Sequence, residues 1–225
     1  MKIPRYGPGA GCYDLLSCES LVYRRGRLQA LALLELRPGD RVLDVGCGTG
    51  LNFAPLEEAV GPTGALVGVD TSPQMLAVAG RRTSKHGWHN VTLVQADAAR
   101  LDTALAPSER FDAVVCTYSL SVIDDGPTAW TQAWTMLRDG GRIAVADTAP
   151  PTGWGRLLTP LAALAFVTGG VDTRRRPWQW VESDTTRVAT ASSRSGHVRV
   201  AVGTKPDGGE PNGVASDATV REGRG

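Results

Sequence analysis

The sequence lacks several features that would assign a protein class at once. Its four cysteines form no C-x-x-C pair and have no nearby histidine cluster, so we predict neither a metal site nor a disulfide framework. The longest run without a charged residue is 157–171, which is 15 residues and is shorter than the about 20 that a membrane-spanning helix needs. Residues 1–11 contain no apolar stretch typical of a secretion signal.

The sequence also has no excess of positive or negative charge. Lysine and arginine number 24 and aspartate and glutamate 23, so no overall positive field points to nucleic acid as a partner. Apolar residues make up 42% of the 225 residues, which is enough for a sizeable core and excludes a wholly disordered chain. We therefore expect a folded protein, and the cysteine pattern together with the lack of a secretion signal favours a cytoplasmic one.

Short valine-rich runs alternate with helical patterns along most of the chain. Such runs are typical of strands that are buried on both faces, and their alternation with helices favours a parallel sheet. The predicted strands are 41–45, 65–69, 91–94, 111–117 and 141–146. The predicted helices are 21–36, 52–60, 72–86 and 128–138.

The order of these elements predicts an α/β fold. We expect a Rossmann-like, doubly wound, mostly parallel sheet of seven strands, closed by an antiparallel C-terminal hairpin and covered by helices on both faces. Residues 1–37 form a helical cap in this interpretation, and 38–202 form one ligand-binding domain with a lid insertion at 150–182. The glycine-rich, aromatic-free segment 203–225 is predicted to be a disordered tail.

The most informative segment is VLDVGCGTG at 42–50. A buried strand there leads into Gly46, Gly48 and Gly50, and a helix follows. Glycines allow a ligand to approach the backbone closely, and a helix N-terminus attracts negative groups. Leu51 stands where the dinucleotide fingerprint G-x-G-x-x-G needs its last glycine, which disfavours a nicotinamide cofactor.

Acidic residues follow the next two strands. Asp70 ends the second strand, where its carboxylate could accept both hydroxyls of a ribose, and Asp97 follows the third, where it could accept the amino group of an adenine. Both could instead be helix caps. Asp44, within the first strand, needs buried partners, and we leave a structural role and a cofactor contact equally open.

These motifs resemble those of the class I S-adenosylmethionine-dependent methyltransferases. VLDVGCGTG is similar to their first motif and LVGVD to their ribose motif, while FDAVVCTYSLSVIDD and MLRDGGRIAVAD resemble their fourth- and fifth-strand motifs. The segment YDLLSCESLVYRRGR further resembles the entry segment of bacterial phospholipid N-methyltransferases and quinone-biosynthesis methyltransferases. That likeness implies that Tyr13, Tyr23 and Arg27 lie near the cofactor or the entrance.

The resemblance implies the residues of the site. Cofactor contacts are expected from the glycine loop, from the ends of the second, third and fourth strands, and from the entry segment: Asp44, Gly46, Cys47, Gly48, Gly50, Asp70, Thr71, Met75, Asp97, Ala98, Thr117 and Tyr23. For catalysis and acceptor orientation we name Tyr118, Ser119 and Asp147, which follow or end the fourth and fifth strands.

The resemblance leaves the acceptor open. No clear general base is visible, which favours an amine such as a phospholipid headgroup. The alternatives are an oxygen, nitrogen or carbon of a quinone or secondary metabolite, and a protein that retains the cofactor to bind or isomerise without methyl transfer. The segment 154–180, apolar and flanked by arginine and tryptophan, could also contact the inner membrane face, although a core helix is the alternative we favour.

Overall fold

The computed structural model describes residues 23–105, 110–150, 172, 174–193 and 196–211. The strands are β1 (Arg41–Val45), β2 (Ala65–Asp70), β3 (Val91–Gln95), β4 (Phe111–Thr117), β5 (Leu137–Thr148), β6 (Thr186–Ser193) and β7 (Val198–Thr204). The helices are α1 (Arg24–Leu33), α2 (Phe53–Val60), α3 (Pro73–His86), α4 (Leu101–Ala104), α5 (Gly126–Met136) and α6 (Pro177–Asp184), with a short 3-10 helix at Ala98–Arg100.

Within the described residues, the strands form one seven-stranded sheet in the order β3-β2-β1-β4-β5-β7-β6. Strands β1 to β5 are parallel to one another. Strand β7 lies antiparallel to both β5 and β6, as the predicted terminal hairpin requires. The predicted fold class is therefore confirmed.

Alternate residues of each central strand pack on opposite faces of the sheet. One face buries Val42, Ala113 and Ala144 against α1 and α2. The other buries Leu43, Val114 and Ile143 against tryptophans of α5 and α6. The strands are apolar on both faces because helices cover both.

The end of the predicted lid is a core helix. Trp180 of α6 is only 3% exposed, and its ring centroid lies 6.0 Å from that of Trp130 in α5. The neighbouring Trp178 also packs against this core cluster. Trp180 is therefore not presented to a membrane surface, whereas Trp178 is partly buried. Residues 151–171 and 173 of the segment lie outside the described part.

The predicted start of the disordered tail, residue 203, is too early, because the structure describes ordered contacts up to Gly209. Residues 203–204 complete β7, and the buried Lys205 Nζ donates hydrogen bonds to the carbonyl oxygens of Trp134 (3.1 Å) and Leu137 (2.9 Å) at the end of α5. The indole nitrogen of Trp134 donates to the Gly209 carbonyl at 2.8 Å. A lysine at a helix C-terminus satisfies carbonyls that the helix leaves unpaired, which composition alone does not reveal. Residues 212–225 lie outside the described residues.

Where the structure describes the chain, no helix has both the length and the apolar character needed to cross a bilayer.

Candidate functional site

The glycine loop lies between β1 and α2, at the carboxyl edge of the sheet. Gly46, Gly48 and Gly50 have φ values of +71°, +54° and +77°, a region that other residues rarely adopt. The amides of Gly46 and Cys47 donate to the Val69 carbonyl at 2.8 and 2.9 Å. The loop is thus attached to the end of β2.

Gly46 and Gly48 have opposite surroundings. A Cβ added at Gly46 would lie 2.5 Å from the Ser119 Cβ, so the loop after β4 packs directly against the glycine backbone. A Cβ added at Gly48 would meet no atom of the described residues within 4 Å. The backbone at Gly48 therefore borders open space into which a ligand can fit.

Ser119 brings a hydroxyl without a partner to this position. Its side chain is buried, with 6% of the residue exposed, and its Oγ has no hydrogen-bond partner among the described residues. The Oγ would lie 3.3 Å from a Cβ at Gly46. A buried hydroxyl without a partner is costly, and a ligand that supplies one removes the cost.

Asp70 joins the glycine loop to the start of α3. Its Oδ2 accepts a hydrogen bond from the Gly48 amide at 2.9 Å, and its Oδ1 accepts one from the Ser72 amide at 2.8 Å. The cap of α3 is Ser72, whose Oγ accepts from the Met75 amide at 3.3 Å. Burial raises the pKa of Asp70, against the lowering effect of these amides. Each carboxylate oxygen has a second lone pair that can accept a hydroxyl.

The other residues predicted to surround an adenine occupy mixed positions. Thr71 and Asp97 are exposed, whereas Met75 and Ala98 are buried. The Oδ1 of Asp97 accepts from the Ala99 amide at 2.9 Å and caps the 3-10 helix, so the alternative role as a cap is present. Capping leaves the second oxygen of the exposed carboxylate on the same edge of the sheet.

Asp44 lies in a buried polar network under α1. The Asn52 side-chain amide donates to both carboxylate oxygens of Asp44, at 2.9 and 3.0 Å, and to the Thr117 hydroxyl at 3.0 Å. Arg27 of α1 donates to the Asn52 carbonyl oxygen at 2.9 Å and to the Thr117 hydroxyl at 3.2 Å. The network holds α1, the glycine loop and β4 together, which supports a structural role for Asp44 and Thr117.

Asp44 should make stability depend on pH. Burial raises its pKa to about 7 from an unfolded value of 3.8, against opposing effects of Asn52 and Arg27. Between these values the folded state binds the proton more tightly, so the contribution of Asp44 to stability falls as pH rises towards 7. We expect urea unfolding of Asp44→Asn to show a smaller loss of stability between pH 5 and pH 8 than the wild type. Parallel curves for the two proteins would contradict this assignment.

Tyr118 has a φ of +56°, a strained conformation for a residue with a side chain. Its hydroxyl donates to the Tyr23 carbonyl oxygen at 2.8 Å, and the two rings lie 4.8 Å apart. The Arg27 guanidinium lies 5.7 Å from the centre of the Tyr118 ring. Tyr118 therefore fastens the start of α1 over the end of β4.

Asp147 is buried beneath the loop after β4 and is 1% exposed. Its Oδ1 accepts from the Ser121 hydroxyl at 2.6 Å and from the Thr148 amide at 2.8 Å, while its Oδ2 accepts from the Ser121 amide at 3.1 Å. Burial raises its pKa to about 6, opposed chiefly by Ser121. This arrangement supports the loop and does not present the carboxylate to an acceptor, unlike the orientation expected from the sequence.

The side chain of Cys47 points into the fold. It packs with Phe53 and Ala79, and burial raises the pKa of its thiol. A thiol of this kind is a poor nucleophile, as expected for a small loop residue. Within the described ranges, no group of three or more His, Cys, Asp or Glu side chains is placed to hold a metal ion.

Sequence analysis did not single out Asn52, which is central to the polar network. Its partners are 8, 25 and 65 residues away in the chain, and no local motif links them. Arg27 was predicted only through the resemblance of the entry segment, and the structure places it among the buried residues Gly26, Ala30 and Leu31 of α1. A charged residue on a buried helix face needs a polar partner.

Part of the chain matches a known protein family. Residues 42–141, from β1 into β5, match a family described as a methyltransferase domain. Over 142 residues the chain is 34% identical to nocamycin O-methyltransferase of Saccharothrix syringae, covering 63% of this chain and 49% of that one. It is 32% identical over 126 residues to demethylmenaquinone methyltransferase of Anoxybacillus flavithermus, covering 56% and 52%. The chain thus spans about half the length of these curated relatives.

A solved structure supports the fold. Phosphoethanolamine N-methyltransferase 2 of Haemonchus contortus, in complex with S-adenosyl-L-methionine, superposes with a TM-score of 0.68. The match covers 88% of this chain and 57% of that one at 17% identity, so the likeness extends to the architecture alone.

Proposed function

We propose that this chain, whose residues 42–141 match a methyltransferase domain family, is a class I methyltransferase that transfers a methyl group from S-adenosylmethionine to a small-molecule acceptor. The observation that carries the proposal is the pairing of Gly48 with Asp70. The Gly48 amide and the Asp70 carboxylate are 2.9 Å apart, beside the open space at Gly48. A glycine backbone and a carboxylate acceptor thus lie side by side at the carboxyl edge of the sheet.

The residues present fit this cofactor. In the proposal, Asp70 accepts the ribose hydroxyls, and the second oxygen of Asp97 accepts the adenine amino group. The backbone at Gly48 accommodates the methionine part. The Ser119 hydroxyl, which lies beside Gly46 and lacks a protein partner among the described residues, donates a hydrogen bond to the cofactor. Asp44, Thr117 and Tyr118 would contribute by holding α1, the glycine loop and β4 in place.

The cofactor supplies a methyl group already activated on a sulfonium sulfur. The chain then needs mainly to align the acceptor and exclude water. Asp44, Asp70 and Asp147 each accept at least two hydrogen bonds and are not arranged as a general base. An acceptor that arrives ionised or as a neutral amine needs no strong base.

We favour an oxygen or ring acceptor in a quinone or secondary metabolite. The two curated relatives, which are named for O-methylation of nocamycin and for demethylmenaquinone, support this class. An amine headgroup, the acceptor predicted from the sequence, is the second candidate, and the engaged carboxylates described above are compatible with it. Both candidates use the same cofactor site.

One labelling experiment separates these functions. The purified chain is incubated with methyl-labelled S-adenosylmethionine and, separately, with quinone, secondary-metabolite and phospholipid fractions of a bacterial extract. We expect a labelled product in one of the first two fractions, and less of it with Asp70→Ala at the same subsaturating cofactor concentration. A labelled phospholipid would favour the amine. Cofactor binding without any labelled product would favour the non-transferring alternative and contradict the proposal.

A further inference from the structure

The loop at 118–125 follows β4 and contains Tyr118 and Ser119. Its turn begins at Ser119, whose carbonyl oxygen accepts hydrogen bonds from the amides of Val122 and Ile123, both at 2.9 Å. The position of Ser119 is therefore coupled to the position of Ile123. On one side the loop rests on Asp147, through the amide and hydroxyl of Ser121.

On the other side of the loop, the side chain of Arg175 binds main-chain carbonyl groups of the same loop. Its guanidinium donates to the carbonyl oxygens of Leu120 at 3.3 Å and Asp124 at 2.6 Å, and also to that of Ile123. Asp172 orients the Arg175 side chain, because the Asp172 Oδ2 lies 3.3 Å from the Arg175 Nε. The backbone amide of Asp172 donates a hydrogen bond to the Ser121 carbonyl oxygen at 2.9 Å. The Arg175 side chain is 13% exposed, so these contacts are largely shielded from water.

The chemistry of arginine explains why this residue type stands here. A guanidinium is planar and carries five N–H donors in a fixed fork, so it can bind three carbonyl oxygens at once. A lysine ammonium is a point charge on a flexible chain and cannot hold the same three groups in one plane. The contacts are to backbone oxygens, and they therefore fix the path of the loop.

We propose that Arg175 is a positioning residue for the cofactor site, holding the 118–125 loop so that the Ser119 hydroxyl stays beside Gly46. This inference rests on the proposed function, in which Ser119 donates to S-adenosylmethionine. Three links carry it: Arg175 binds Ile123, Ile123 binds Ser119 through the backbone, and Ser119 packs against Gly46. Asp172 and Arg175 are thereby connected to the glycine loop through the loop after β4.

A double-mutant cycle tests the coupling by S-adenosylmethionine titration calorimetry, without any acceptor. Ser119→Ala and Arg175→Met are each expected to weaken binding by about two- to tenfold, the value of one hydrogen bond. The double variant should bind S-adenosylmethionine no more weakly than the single variant with the lower affinity, because both changes remove the contact between the Ser119 hydroxyl and the cofactor. Arg175→Lys should resemble Arg175→Met. The matched control Arg138→Met, which removes an arginine paired with Asp112 on the opposite edge, should bind as the wild type does.

A second variant perturbs the contact without removing the arginine. A Cβ at Gly126 would lie 2.8 Å from the Arg175 Nη1 and 2.7 Å from the Leu120 carbonyl oxygen, so Gly126→Ala should weaken cofactor binding as well. If thermal unfolding shows that Arg175→Met does not fold, Gly126→Ala is the variant that tests the coupling between Arg175 and the cofactor site. Unchanged affinity in a folded Arg175 variant or in Gly126→Ala, or losses that multiply in the double variant, would overturn the inference. A wild-type chain that does not bind S-adenosylmethionine would instead overturn the proposed function.

Discussion

Gly48→Ala is expected to weaken S-adenosylmethionine binding by about tenfold or more, ~1.4 kcal/mol, while the protein remains folded. The added methyl group would meet no atom of the described residues within 4 Å, so its effect on packing is small. It would project into the space that the cofactor is proposed to occupy. Calorimetric titration of the folded variant measures the loss.

Gly87→Ala is the matched control. Gly87 has a φ of +68°, close to the +54° of Gly48, and a Cβ there would also have no described neighbour within 4 Å. It caps the C-terminus of α3, away from the glycine loop. Each substitution should cost about 1 kcal/mol of stability for the left-handed backbone. Equal cofactor affinities in the two variants would place the ligand elsewhere.

Asp70→Ala is expected to weaken the same binding by about 1 to 3 kcal/mol. The change removes the acceptors proposed for the ribose and also releases the Gly48 amide, which is 2.9 Å from Oδ2. Asp70→Asn should lose less, because one side-chain oxygen remains as an acceptor. Both affinities are obtained from the calorimetric titration used for the glycine variants.

Asp112→Ala controls for the loss of any partly buried carboxylate from the sheet. Asp112 accepts from the Arg41 amide at 2.8 Å and from the Arg138 side chain at 2.7 Å, at the start of the strands and not at their carboxyl ends. Its removal should lower stability without affecting cofactor affinity. Similar affinity losses for Asp70→Ala and Asp112→Ala would indicate a general effect of destabilisation.

Local sequence was sufficient for the central strands. The bounds predicted for β1 and β4 coincide with Arg41–Val45 and Phe111–Thr117, because valine-rich runs between turn residues mark strands that are covered on both faces. Strand β5 is longer than predicted and begins at Leu137, directly after α5. The exposed residues Arg138, Asp139 and Gly140 follow the buried Leu137 and interrupt its apolar pattern, and burial resumes only at Gly141.

The environment of the site residues was less accessible to sequence. Asp147 lies near the end of a strand at the expected edge. Its carboxylate is nevertheless bound by Ser121, 26 residues earlier in the chain, and is influenced by the charge of Arg175. The polar network of Arg27 joins groups up to 90 residues apart. Periodicity indicates that a residue is buried, whereas its partner across the fold depends on how loops cross the strand ends.

The most direct test of the account is titration of the purified chain with S-adenosylmethionine, in parallel with Asp70→Ala and with NAD as a competing candidate. The account predicts one binding site per chain, binding that is weakened about five- to 150-fold by Asp70→Ala, and no binding of NAD at the same concentrations. Absence of S-adenosylmethionine binding by a folded wild-type chain, or equal affinity in the Asp70 variant, would contradict the proposed site.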